Sequence, residues 1–139
     1  MQRIVVAAKP GAEQPWVADA GAELAQQTGA SVTVVSADGL DVEALSTVPR
    51  DVPEAAAHAA ADAVAARIRE KDVPVTAEVL PGLPVRAILL YAEEVDADVI
   101  VCGTTSRGAV ASRLLGNVPL ELVHRSRRPV LLIGAPPSE

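Results

Sequence analysis

Aromatic side chains are almost missing from this chain, which has no phenylalanine, one tryptophan and one tyrosine among its 139 residues. A surface that reads nucleic-acid bases by stacking them on aromatic rings is therefore not expected. Half of the residues are nevertheless apolar, so the core has to be built from Val, Leu, Ile and Ala. Cysteine is equally scarce. Cys102 stands alone and cannot close an internal disulfide, and the chain runs from Met1-Gln2-Arg3 straight into an apolar segment with no signal-peptide pattern. A reducing, cytoplasmic setting is expected. No apolar run approaches the roughly 18 residues of a membrane span. Positive charge is also in deficit: the formal net charge is -6, which disfavours nucleic acid and anionic membrane as partners because both demand a basic surface.

The deficit is uneven. Residues 1–102 carry seven Lys and Arg against sixteen Asp and Glu, whereas residues 103–139 carry five Arg against two Glu. Arg125, Arg127 and Arg128 suit the C-terminal end of a helix, and Arg107 and Arg113 are better placed to meet an anion. The length suits one α/β domain spanning residues 1–139 and is too short for two ordinary ones.

Along the chain, apolar segments of strand length alternate with helical patterns. Arg3 to Ala8 is a continuous β-branched run closed by Lys9-Pro10-Gly11, as in a strand buried on both faces. A helix is predicted over Pro15 to Gln27 with Thr28-Gly29 as its stop, then a strand over Ser31 to Ser36. The polar stretch Asp38 to Arg50, with a short helical turn around Asp41 to Leu45, carries no assigned chemistry. Asp51, Pro53 and Glu54 open a long Ala-rich helix to about Lys71. Pro74 to Leu80 reads as a strand. Val85, Ile88, Leu89 and Ala92 mark one face of a helix over Pro84 to Val95, and Val99 to Cys102 forms the fourth strand. Asn117 caps a helix running to Arg125, and Pro129 to Ile133 is the last strand.

Strict alternation with apolar strands predicts a parallel sheet of order 3-2-1-4-5 with helices on both faces. In that order the chain reverses direction between the first and fourth strands, and open α/β sheets bind ligands beyond the carboxyl ends of strands at such a switch point. The turns meeting there are residues 8–11 and 102–117. The second is glycine-spaced and leads into a helix, whose leading amides favour an anion.

Neither a G-x-x-x-x-G-K-[ST] loop nor a G-x-G-x-x-G fingerprint is present. A Ser-Gly-Gly loop after the first strand and a His-x-Gly-His signature are missing too. These absences remove P-loop enzymes, dehydrogenases, ATP pyrophosphatases and adenylyltransferases. What remains is Gly103, Ser106, Arg107, Gly108, Gly116 and Asn117. Their spacing resembles the universal stress protein family pattern of G-x-x-G, nine residues, then G-[ST]. The likeness extends over the whole chain through GASVTVV, GLPVRAIL, DADVIVCG and RRPVLLI.

The resemblance implies a flavodoxin-like, adenine nucleotide alpha hydrolase-like fold and a stress-response regulatory module binding ATP or another adenine nucleotide, with magnesium accompanying it. Ala8 and Lys9 would frame the base, while Cys102, Gly103, Ser106, Arg107, Gly108, Gly116, Asn117 and Val118 would surround the ribose and phosphates. It also implies a homodimer through Val130, Leu131, Leu132 and Ile133, an apolar edge open to pairing, and a protein client that the sequence does not name. The chain departs from the pattern at three positions. Ser106 replaces the second glycine, where a left-handed backbone would cost about 1–2 kcal/mol and weaken binding roughly tenfold. Asn117 replaces a hydroxyl residue, and Lys9 stands where ATP-binding members have Asp. Two other readings follow: a nucleotide-free dimeric interaction module with a degenerate loop, and a slow ATPase, for which no general base or metal-binding acidic pair is visible.

The other chemistry-bearing residues read as structural. Cys102 suits a small buried core position. His58 and His124 have no partners at metal-ligand spacing. Asp96 and Asp98 precede the fourth strand as solvated carboxylates, and Trp16 packs on a helix face.

Overall fold

The aliphatic runs form the strands of one parallel sheet in a computed structural model that describes residues 1–40, 51–104 and 118–137. In chain order the described elements are β1 (Arg3–Ala7), α1 (Pro15–Thr28), β2 (Ser31–Ala37), α2 (Asp51–Arg69), β3 (Val75–Leu80), α3 (Pro84–Glu94), β4 (Val99–Gly103), α4 (Val118–Arg125) and β5 (Val130–Ile133). The sheet order is β3-β2-β1-β4-β5, as expected. All four pairings are parallel; β1 sets Ile4 beside Val32 on one side and beside Val99 on the other. The short helix expected at Asp41 to Leu45 lies outside the described residues.

Two aliphatic cores sandwich this sheet. On one face Ile4, Val6, Val34 and Val101 pack under α1 and α2. On the other, Val5, Val35, Ile100 and Cys102 pack under α3 and under Leu122 of α4. Because β1 and β4 are covered on both sides, every residue from Ile4 to Ala7 and from Val99 to Gly103 is buried, which explains their unbroken apolar sequences. The outer strands differ from the expectation of fully apolar strands. β3 alternates half-buried and exposed positions up to Leu80, and β5 is only partly covered, with Leu131 40% exposed. An edge strand lacks a neighbour and some of its helix cover, so period-2 polarity returns there.

Helix α1 lies close on the sheet because its inner face is small. A Cβ on Gly21 would stand 2.8 Å from Val6 Cγ2. The helix stops as expected: Gly29 takes the left-handed conformation at φ 76° and donates its N–H to Ala25 O at 2.8 Å. Glycine bears that geometry without a Cβ clash. Trp16 is partly buried against the α1 core, as anticipated.

Two readings of charged residues acquire definite partners. Arg128 does complement a helix C-terminus, but that of α3 and not that of α4. Its guanidinium donates to Glu93 Oε2 in the last turn of α3 at 3.2 Å, and just beyond the helix to Asp96 Oδ1 and the Ala97 carbonyl, each at 2.7 Å. Hydrogen bonds from Arg128 hold the Glu93 carboxyl below its ordinary range. Asp96 is a solvated carboxylate as expected, its side chain 88% exposed, and at φ 56° it is also the left-handed residue just past α3, a conformation Asp tolerates better than most side chains.

Asp98 has a structural task. Its Oδ2 accepts the backbone N–H groups of Gln2 at 2.6 Å and Arg3 at 2.9 Å, tying the start of β1 to the start of β4. These bonds, first from Gln2 and then from Arg3, lower the Asp98 pKa. A carboxyl whose folded pKa is depressed stabilises the fold above its unfolded pKa of about 3.9, and that contribution vanishes as pH falls through the lower folded value. Urea unfolding of the native chain and Asp98→Asn should therefore differ at pH 6 and converge progressively below about pH 4. A difference independent of pH would rule out this carboxylate contribution.

Candidate functional site

The switch point predicted from the strand order holds a cavity of about 290 Å³ at the carboxyl ends of β1, β2 and β4. Its floor is aliphatic: Ala7, Ala8, Ala37, Ile88, Cys102 and Val118. Polar groups are few, as in most small-molecule sites. Among the described residues lining it, Lys9 is the one cation and Asp38 the one carboxylate, with Gln14 the one side-chain amide. Helices α3 and α4 present their first turns to this space through Pro84, Val118 and Pro119, and α1 begins immediately after Gln14. Proline in a first helical turn removes only an N–H that the helix could not have used, and the remaining leading amides bias the cavity toward an anion.

Five of the residues singled out in the sequence, Ala8, Lys9, Cys102, Gly103 and Val118, meet around this cavity. Ser106, Arg107, Gly108, Gly116 and Asn117 lie outside the described residues. Ala8 is fixed from two sides: its N–H donates to Val35 O at 2.8 Å and its carbonyl accepts the buried Ser36 hydroxyl at 2.8 Å. Lys9 is exposed at the rim and makes no ion pair among the described residues. Burial pushes the Cys102 thiol up to about 11, against a smaller opposing pull from Lys9. A thiol so protonated is not a nucleophile at neutral pH, which agrees with its reading as a core residue.

Gly103 is required by crowding. It lies below the start of α1, where an added Cβ would be 2.8 Å from Val17 Cγ2 and 2.9 Å from Gln14 Oε1. The Gln14 amide crosses over this glycine and donates from Nε2 to Thr104 O at 3.4 Å. Only a residue without a side chain lets the β4 exit and the α1 entry approach this closely.

Asp38, Gln14, Thr104 and the α3 residues Pro84 and Ile88 were not identified from sequence. Asp38 could have been, since an Asp-Gly pair directly after a buried strand signals a turn, and β2 neighbours the switch-point strand. Its Oδ1 accepts the N–H groups of Leu40 and Gly82, each at 2.9 Å. A further backbone bond, Gly39 N to Gly82 O at 2.9 Å, closes the same contact. Asp38 thereby pins the turn that leads into α3. No group of three or more His, Cys, Asp or Glu side chains is placed to hold a metal ion among the described residues. No described helix is long and apolar enough to cross a membrane.

Comparison with known proteins agrees with this architecture. A universal stress protein of Methanocaldococcus jannaschii is 36% identical over 70 residues, which are 50% of this chain and 41% of that protein. One from Mycobacterium tuberculosis is 38% identical over 52 residues, 37% of this chain and 36% of its own length. The aligned segments thus span less than half of these relatives. Among solved structures, a universal stress protein from Archaeoglobus fulgidus in complex with dAMP superposes with a TM-score of 0.73 at 26% identity, over 96% of this chain and 98% of that one. Another universal stress protein, in complex with cAMP, gives 0.76 at 23% identity over 97% and 98%. The universal stress protein family model matches residues 1–134, and the chain belongs to that family.

Proposed function

We propose that this chain is a stress-response regulatory module that binds an adenine nucleotide, ATP foremost, in the crevice between β1 and β4. The observation that carries the reading is the cavity itself: an aliphatic slot at the switch point, approached by helix N-termini and carrying Lys9 at its rim. Aliphatic walls take the base without aromatic stacking, and the ammonium and helix amides favour the phosphates. The dAMP complex of the Archaeoglobus fulgidus relative, alike over nearly the full length, supports the same ligand class. A magnesium ion would enter with the phosphates of the nucleotide. Its chemistry would be charge neutralisation there.

The second reading is a nucleotide-free module that works by dimerising through β5. It is favoured by the apolar surface at that edge of the sheet, where Leu131 is 40% exposed and Leu120 and Val123 of α4 are each 46% exposed.

One experiment separates the two. Calorimetric titration with ATP, AMP and cAMP should give saturable heat for at least one nucleotide, together with a rise in Tm that grows with ligand concentration. No heat and no Tm shift at millimolar ligand, with sedimentation at twice the chain mass, would replace the first reading by the second.

A further inference from the structure

Asp38 is held in an arrangement that its turn-forming role does not exhaust. A carboxylate has two acceptor oxygens. Oδ1 takes both backbone N–H groups, Leu40 at 2.9 Å and Gly82 at 2.9 Å, whereas Oδ2 has no hydrogen-bond partner among the described residues. The side chain is half-buried and lines the cavity. It cannot turn away without breaking two bonds to the turn. The cavity therefore offers a fixed acceptor at the β2 end, and the cation at the β1 end, Lys9, is not within ion-pairing distance of it.

We infer that Asp38 is a specificity-determining residue of the nucleotide site, whose Oδ2 accepts a hydrogen bond from the exocyclic amino group of the base. This rests on the nucleotide reading above and adds to it the side chain that selects the base. A 6-aminopurine presents a donor to a carboxylate oxygen. A 6-oxopurine held in the same pose presents a carbonyl oxygen at that place, which sets two acceptors against each other, and its N1–H donor lies one ring position away. Because a desolvated site built to bond one polar group rejects its mismatch, the preference should be at least about tenfold.

The test uses AMP, IMP and dAMP with the full chain and with Asp38→Asn. Asparagine keeps an acceptor oxygen for the Leu40 and Gly82 amides while replacing the other oxygen by an NH2 donor. The native chain should prefer AMP over IMP by about tenfold or more and treat AMP and dAMP alike. In Asp38→Asn the order should reverse toward IMP with Tm little changed. Equal affinity of the native chain for AMP and IMP would overturn the inference and leave the nucleotide reading standing. Discrimination of AMP from dAMP that disappears in Asp38→Asn would also overturn it, by assigning the carboxylate to a sugar hydroxyl. No binding of any nucleotide would remove both. If Asp38→Asn does not fold, the three affinities of the native chain still decide.

Discussion

Leu122→Ala is expected to destabilise the chain by about 2–5 kcal/mol, lowering Tm on the order of 10 °C. Leu122 is fully buried and is the residue of α4 that enters the core shared with Ile100, Val5 and Ile88. Four residues before it, Val118 begins the helix and lines the cavity, so one side chain seats both a helix and a wall of the site. Alanine at this position leaves a void that a close-packed interior fills only in part. Leu90→Ala removes the same atoms from a side chain 61% exposed, and its effect should stay within about 0.5 kcal/mol. Thermal or urea unfolding of the two variants reads the contrast. Equal losses would mean that α4 is not docked as described.

Gly103→Ala should cost about 1–3 kcal/mol through overpacking and weaken nucleotide binding at the same time. Two neighbours oppose the new methyl group, and they differ in how far they can yield. The Gln14 amide is the end of a long side chain and can swing aside. Val17 is 1% exposed, and its Cγ2 stands 2.8 Å from the new atom; a β-branched residue in a helix has a nearly fixed χ1. Val17 is therefore the obstacle, and Val17→Ala in the same chain should restore part of the loss. A double-mutant cycle measures that coupling. Strict additivity of the two substitutions would show that the steric account is wrong.

How far the sequence disclosed this molecule depended on how local each cause was. β1 and β4 were legible because burial on both faces leaves only apolar residues in them. The left-handed stop at Gly29 was legible because few residues other than glycine accept it. From these elements the parallel order followed, and with it the crevice between β1 and β4. Long-range pairings were not legible. Nothing local in Arg128 announces that it reaches back to Glu93, Asp96 and the Ala97 carbonyl, nor in Asp98 that it binds the amides of residues 2 and 3. The same holds within the site. Lys9 and Gly103 were found because they stand at strand ends, whereas Asp38 sits in a polar stretch whose partner, Gly82, is 44 positions away.

Helix α3 is secured at both of its ends by different means. At the cavity, Asp38 clasps the turn before its first residue; at the opposite end, Arg128 grips Glu93 and Asp96. With neither end at liberty, the helix behaves as a strut, and the shape it offers a ligand at Pro84 and Ile88 exists before the ligand arrives. Preorganisation of this kind spares the binding step the loss of conformational entropy that a pliant wall would incur. Loosening the far anchor, some turns of helix from the crevice, would then reach the ligand as reduced affinity without altering any contact to it.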